Sequence, residues 1–141
     1  MQLQIIFIFI IYQILQVVLT PFFLIYLFIR KLKGKSVFGN FWQRKGFVPK
    51  ISTKQKFENK IIWIHAVSVG EILSIQNLID QIKAKDKNTI CYVTTGTPTG
   101  KKMAEKNLNA DFISFLPFDF LFNMFLAFKR IKPTSIIIIE A

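Results

Sequence analysis

The chain has 141 residues, 52% of them hydrophobic, a net charge of +11 and a mean hydropathy of +0.40. That length holds one domain of ordinary size, which excludes a complete two-domain activity, and the composition is too apolar for a typical soluble domain and points to a membrane segment. One cysteine, Cys91, and one histidine, His65, exclude an internal disulfide and a Cys/His metal cluster, and a reducing, cytosolic setting fits them.

In chain order, the first element is an apolar run from Leu3 to Ile29, interrupted by Gln4, Tyr12, Gln13, Gln16, Thr20 and Pro21. As a helix it reaches roughly 40 Å, more than a hydrocarbon core requires, so it crosses with tilt or with a kink at Pro21. It lacks a basic n-region and an A-x-A-like site and is too long for an h-region, all of which argue against a cleaved signal peptide. The polar cluster Tyr12, Gln13 and Gln16, followed by Pro21, leaves an interfacial helix as the alternative. Arg30, Lys31, Lys33 and Lys35 follow at once, and by the positive-inside rule the body of the chain faces the cytoplasm.

Residues 30–60 hold ten Lys or Arg against a single acid, Glu58. Arg44, Lys45, Lys50, Lys54, Lys56 and Lys60 are interleaved with Phe38, Phe41, Trp42 and Phe47, a mixture expected to rest on an anionic membrane surface at about 1 kcal/mol per cation. A solvated linker is the equally weighted alternative. A nucleic-acid patch is the weaker reading, because an adjacent membrane explains the charge more simply.

From Ile61 short apolar runs alternate with helical stretches, the signature of a parallel sheet with crossover helices. Strands are predicted at Ile61 to Ala66, Thr89 to Thr94, Asp111 to Leu116 and Thr134 to Glu140, each apolar or β-branched enough to be buried on both faces. Ile72, Ile75, Leu78, Ile79 and Ile82 recur at helical spacing between the first two strands. A second helix is predicted from Pro98 to about Asn107. A third, from Phe120 to Ile131, carries more apolar surface than one sheet face needs and is expected to touch a membrane or another domain. The doubly wound order 3-2-1-4 then makes the first and fourth strands neighbours, with a ligand crevice outside their carboxyl ends. The organisation expected is an anchor at 1–29, a basic juxtamembrane segment at 30–60, and a Rossmann-like α/β domain at 61–141. The last strand reaches Ala141 with no helix to cover it, so further chain is expected.

The polar residues converge on that crevice: Ser68, Gly70 and Glu71 after the first strand, Thr94, Thr95 and Thr97 after the second, Asp119 after the third and Glu140 at the end of the fourth. Ser68 and Glu71 have the spacing of a capping box, which is one reading; the other makes Glu71 a general base at the crevice mouth. The two conflict, since a helix amino terminus lowers a carboxylate's pKa while a base needs it near the working pH. Thr97 as N-cap with Pro98 at the first helical position explains much of Thr94 to Gly100 structurally, and anion or sugar binding is the functional alternative. The spacing of Gly96, Gly100 and Lys101 is not that of a P-loop. Asp119 is expected to cap the third helix, and His65 to be a hydrogen-bonded histidine near a strand end rather than a catalyst.

Taken together, Trp63-Ile-His-Ala-Val-Ser-Val-Gly-Glu71, Thr94-Thr-Gly-Thr-Pro-Thr-Gly100, Leu116-Pro-Phe-Asp119 and the apolar strand into Glu140 resemble, in order and spacing, the motifs of the 3-deoxy-D-manno-octulosonic acid (Kdo) transferases. The resemblance implies the N-terminal half of a GT-B fold, with no metal and no cofactor. It implies transfer of Kdo from CMP-Kdo to a lipid A precursor (lipid IVA) in lipopolysaccharide assembly, at the cytoplasmic face of the inner membrane. By it Glu71 matches the general base, and Glu140 matches a transition-state stabiliser and the first Glu of a Glu-x-Glu-x-Trp-Pro motif; Ser68, Gly70, Thr95 and Thr97, at the crevice, are the expected substrate-binding positions. The rest of that motif and the CMP-binding C-terminal domain are absent from these residues, so this fragment is expected to be inactive alone. Gly96 stands where the family commonly has a larger residue. A membrane-anchored remnant without activity, or a binding module that uses the crevice alone, is the alternative.

Overall fold

The computed structural model describes residues 2–32 and 40–140; Lys33, Lys35 and Phe38, and the side chains of Arg30, Lys31 and Glu58, lie outside that description. Two compact units result, Met1–Phe41 and Trp42–Ala141.

The first unit contains α1 (Gln2–Leu32), a helix that continues through Pro21. Within it the 24 residues Leu3–Tyr26 are long and apolar enough to cross a membrane. Three of its mid-run polar side chains, Tyr12, Gln16 and Thr20, bond within the helix itself. Gln16 Nε2 donates to the Tyr12 hydroxyl at 2.8 Å and the Thr20 hydroxyl to the Gln16 carbonyl at 2.7 Å, which lowers the cost of placing them in hydrocarbon.

The second unit runs α2 (Phe41–Arg44), α3 (Thr53–Glu58), β1 (Ile61–Ala66), α4 (Val69–Ser74), α5 (Gln76–Lys85), β2 (Ile90–Thr95), α6 (Pro98–Asn107), β3 (Phe112–Phe115), α7 (Leu121–Ile131) and β4 (Ser135–Ile139). The four strands form one parallel sheet in the order β3-β2-β1-β4, so the fold is α/β with the doubly wound order expected from the sequence. In register, Trp63 of β1 lies between Tyr92 of β2 and Ile136 of β4.

Each sheet face carries its own core. On one, Ile64, Ala66, Cys91 and Val93 meet Ile72, Ile75 and Ile79 of the α4–α5 stretch and Ala104 of α6. On the other, Ile61, Trp63, Ile90 and Tyr92 meet Ala127 and Ile131 of α7, together with Val48 and Ile51. Those last two are fully buried. Part of the stretch read from sequence as a linker or interfacial segment is therefore core, and the Tyr92 hydroxyl fastens it by donating to the Pro49 carbonyl at 3.1 Å.

Three local expectations are corrected. The stripe from Ile72 to Ile82 lies on two helices, not one: the chain turns at Ile75, where the Ser74 hydroxyl takes the Glu71 carbonyl at 2.7 Å and competes with the backbone ladder. α7 is capped by Phe120 without a side-chain bond, so Asp119 is not its N-cap. β4 is not buried on both faces, because Ile136 and Ile138 are 45% and 69% exposed. α7 directs Ala127 and Ile131 onto β1 and β2 and leaves an apolar gap of about 210 Å³ beside β4, between Trp63, Phe128 and Ile136.

Candidate active site at the strand carboxyl ends

β1 ends at Ala66, and the chain turns at Val67 to enter α4. Ser68 is its N-cap in extended conformation (φ −98°, ψ 165°), and its hydroxyl accepts from the Glu71 amide at 3.2 Å. Glu71 folds back over the same turn: Oε2 accepts from the Val67 amide at 2.7 Å and Oε1 from the Ser68 hydroxyl at 2.9 Å. Both oxygens are thus engaged in capping, with the Val67 amide as the backbone partner. These bonds, Val67 first and the Ser68 hydroxyl second, hold the Glu71 carboxyl below its ordinary value of 4.5. The arrangement is an ionised, half-exposed carboxylate with lone pairs left to accept from a further hydroxyl.

The second loop is bound to the first through one carbonyl. Val67 O accepts from the Thr95 hydroxyl at 3.2 Å and from the Thr97 hydroxyl at 3.4 Å, and Thr97 Oγ1 in turn accepts from the Gly100 amide at 3.0 Å as N-cap of α6. Thr95 is wholly buried, so it acts as a strut between loops, whereas Ser68 and Gly70 are exposed and Thr97 is half-buried at the rim. Thr94 points into the core, where its Oγ1 accepts from Trp63 Nε1 at 2.9 Å, and His65 Nδ1 lies 3.0 Å from the Thr94 carbonyl. His65 is thus the hydrogen-bonded strand-end histidine that was expected.

Close approach of α6 depends on Gly100. A Cβ there would lie 2.5 Å from Thr95 Oγ1 and 2.9 Å from Thr97 Oγ1, so a side chain would separate the struts. On the far side, the pairing of Ala66 with Ile139 carries Glu140 to the level of Val67 on the neighbouring strand, where it is exposed. Asp119 follows β3, beyond β2 from this turn, and is exposed. Among the described residues no group of three His, Cys, Asp or Glu is placed to hold a metal.

Sequence reasoning missed the packing of Arg44, which it placed either on a membrane surface or in a solvated linker. Its guanidinium donates to the Gly96 carbonyl at 2.8 Å and lies 4.7 Å from the Phe115 ring centre and 5.6 Å from that of Phe118. Burial pushes it below its ordinary value. The neighbouring Gln43 accepts from the Phe115 amide at 3.1 Å. The available signal was the cluster of aromatics around a lone Arg-Lys pair, which fits a packed cation as well as an interfacial one.

Residues 39–141 match the family model described as 3-Deoxy-D-manno-octulosonic-acid transferase (kdotransferase). A relative named 3-deoxy-D-manno-octulosonic acid transferase, from Rickettsia bellii (strain RML369-C), is 32% identical over 98 residues, which are 69% of this chain and 22% of that protein. The chain thus spans about a fifth of the length of the curated relative it matches. No solved structure matches. With the two loops of the matched region bound together at one edge of a doubly wound sheet, the chain belongs to the 3-deoxy-D-manno-octulosonic acid transferase family of glycosyltransferases.

Proposed function

We propose that this chain is the acceptor-side half of a Kdo transferase that moves Kdo from CMP-Kdo onto the lipid A precursor lipid IVA, at the cytoplasmic face of the inner membrane. Residues 1–29 are its anchor and the α/β unit its acceptor-binding part, while donor binding falls to sequence outside the 22% of the relative that aligns here. The observation that carries the reading is the Glu71 carboxylate at the mouth of β1, on a turn joined to the Thr95–Thr97 loop through Val67 O. In the reaction the acceptor hydroxyl oxygen bonds to the anomeric carbon of Kdo, its proton passes to Glu71, and the bond from that carbon to the CMP phosphate breaks with the pair leaving on CMP. Configuration inverts. Ser68, Gly70 and Thr97 form the acceptor rim, Thr95 holds it, and Glu140 stabilises charge on the reacting sugar. Enclosure by acceptor and donor-binding half raises the Glu71 pKa toward the working range.

A second reading, a membrane-anchored binding module without transfer, is favoured by the capping geometry, which accounts for both Glu71 oxygens without chemistry. One experiment separates the two. Kdo transfer from CMP-Kdo to lipid IVA is followed by product mass in membranes carrying this chain alone, or this chain joined to the remaining length of the Rickettsia bellii relative. The joined protein should form product and the chain alone none. Glu71→Gln in the joined protein should slow transfer at least about a hundredfold, as for loss of a general base. A near-normal rate for a folded Glu71→Gln protein would sink the base assignment, and product from the chain alone would sink the half-enzyme reading.

A further inference from the structure

Because β1 and β4 are parallel, the loops that enter them share one edge of the sheet, opposite the Ser68–Glu71 turn and separated from it by the length of β1, about 20 Å for a strand of this size. That edge is sealed where the Thr134 amide donates to Ile61 O at 2.8 Å and the Ile61 amide to Thr134 Oγ1 at 3.2 Å. Beside it is a cavity of about 560 Å³, lined by Lys50, Lys56, Lys129, Arg130 and Lys132 with Thr53 and Leu126. Among the described residues no carboxylate lines the cavity and no ion pair reaches any of the five cations.

Helix capping explains part of this cluster. Lys129 and Arg130 stand in the last turn of α7, where cations oppose the helix dipole, and Lys56 Nζ donates to the Lys129 carbonyl at 3.3 Å. Lys132 is itself the C-cap of α7, in the left-handed conformation, so capping leaves Lys50 unexplained. Burial first, then Lys132, Lys50 and Arg130, push the Lys56 ammonium below its ordinary value, so the charges repel one another across the cavity. Arg130 is fixed by its Nε–H donating to Val48 O at 2.6 Å, which leaves its two terminal nitrogens for a ligand. Convergent ammonium groups and an oriented guanidinium suit a doubly charged group with several acceptor oxygens.

We propose that this cavity is a binding site for a phosphate group, carried by an anionic lipid headgroup or by a soluble phosphorylated molecule. It lies at the opposite end of the sheet from the candidate active site and does not depend on the catalytic reading.

The test is calorimetric titration of the whole chain in neutral-detergent micelles, at fixed ionic strength, with sodium pyrophosphate and separately with dioctanoyl phosphatidate. Saturable one-to-one binding of at least one probe is expected. Lys50→Gln/Lys56→Gln should weaken it by about tenfold or more, the effect of losing a charge-assisted contact. Lys85→Gln/Lys87→Gln removes equal charge near the end of α5 and should leave it unchanged. Binding of phosphatidate alone identifies a headgroup site, binding of pyrophosphate alone a soluble ligand, and binding of both the phosphate group itself. If neither probe saturates, or if both double variants lose affinity equally, the site is refuted. Should Lys50→Gln/Lys56→Gln unfold on heating well before the wild type, Lys132→Asn replaces it under the same tenfold criterion, since Asn tolerates the left-handed backbone at φ 53°.

Discussion

Glu71 is the residue on which the capping bonds and the proposed chemistry converge, and its protonation can be read without substrate. Its carboxyl is held below 4.5 by the Val67 amide and the Ser68 hydroxyl. A carboxylate with a lower value folded than unfolded binds fewer protons in the folded state, so it stabilises the fold above the unfolded value and loses that contribution as pH falls through the folded one. Wild type should therefore unfold at higher temperature than Glu71→Gln near neutral pH, with the difference shrinking below 4.5 and closing in stronger acid. A difference that stays constant across that window in paired melting curves would mean that the charge of Glu71 does not contribute to the cap. The Ser68–Glu71 cap was legible in the sequence because its partners are three residues apart. Arg44 and Gly96 are 52 residues apart, and Thr95 and Val67 are 28 apart. No local pattern announces such contacts, which is why Arg44 was read as a surface cation and the bond from Thr95 to Val67 was not foreseen.

Strands and helices follow hydrophobic runs, and each predicted strand lies within one residue of the observed limits because β-branched runs bounded by polar turns leave little freedom. What the runs do not encode is which apolar residues find a partner. α7 illustrates this: Ala127 and Ile131 are fully buried against the sheet, while Leu121, Phe122 and Phe125 are each more than 60% exposed. The same ambiguity made β4 read as a strand buried on both faces. The helix therefore has one face held by the core and one that is not, and substitutions on the two should differ. Ile131→Ala should cost about 2–5 kcal/mol through lost transfer and a residual cavity, whereas Phe122→Ser should stay within about 0.5 kcal/mol. Urea unfolding of the chain in micelles, followed by fluorescence of the buried Trp63, measures both. Equal losses would mean that the exposed face is covered in solution.

At the scale of the whole chain the sequence separates a long apolar helix from an α/β unit, and the structure describes those as two units. Hydropathy falls at Arg30, but Val48 and Ile51, two isolated apolar positions among cations, belong to the core of the second unit, and their burial cannot be inferred from spacing. For the first unit the question is whether Leu3–Tyr26 crosses a bilayer or lies along it. Ile14 stands near the middle of that stretch and is exposed along the helix. In a spanning helix an aspartate there sits near the bilayer centre and costs about 2.5–3.5 kcal/mol, or roughly a hundredfold in the insertion equilibrium. In an interfacial helix the same aspartate can turn toward water, and the cost is small. Wild type should then remain in bacterial membranes washed with alkaline carbonate, and Ile14→Asp should be largely released or fail to insert. Release of the wild type itself by that wash would place the helix in the interface, and the proposed acceptor site would then have to reach the proposed lipid acceptor without a spanning anchor.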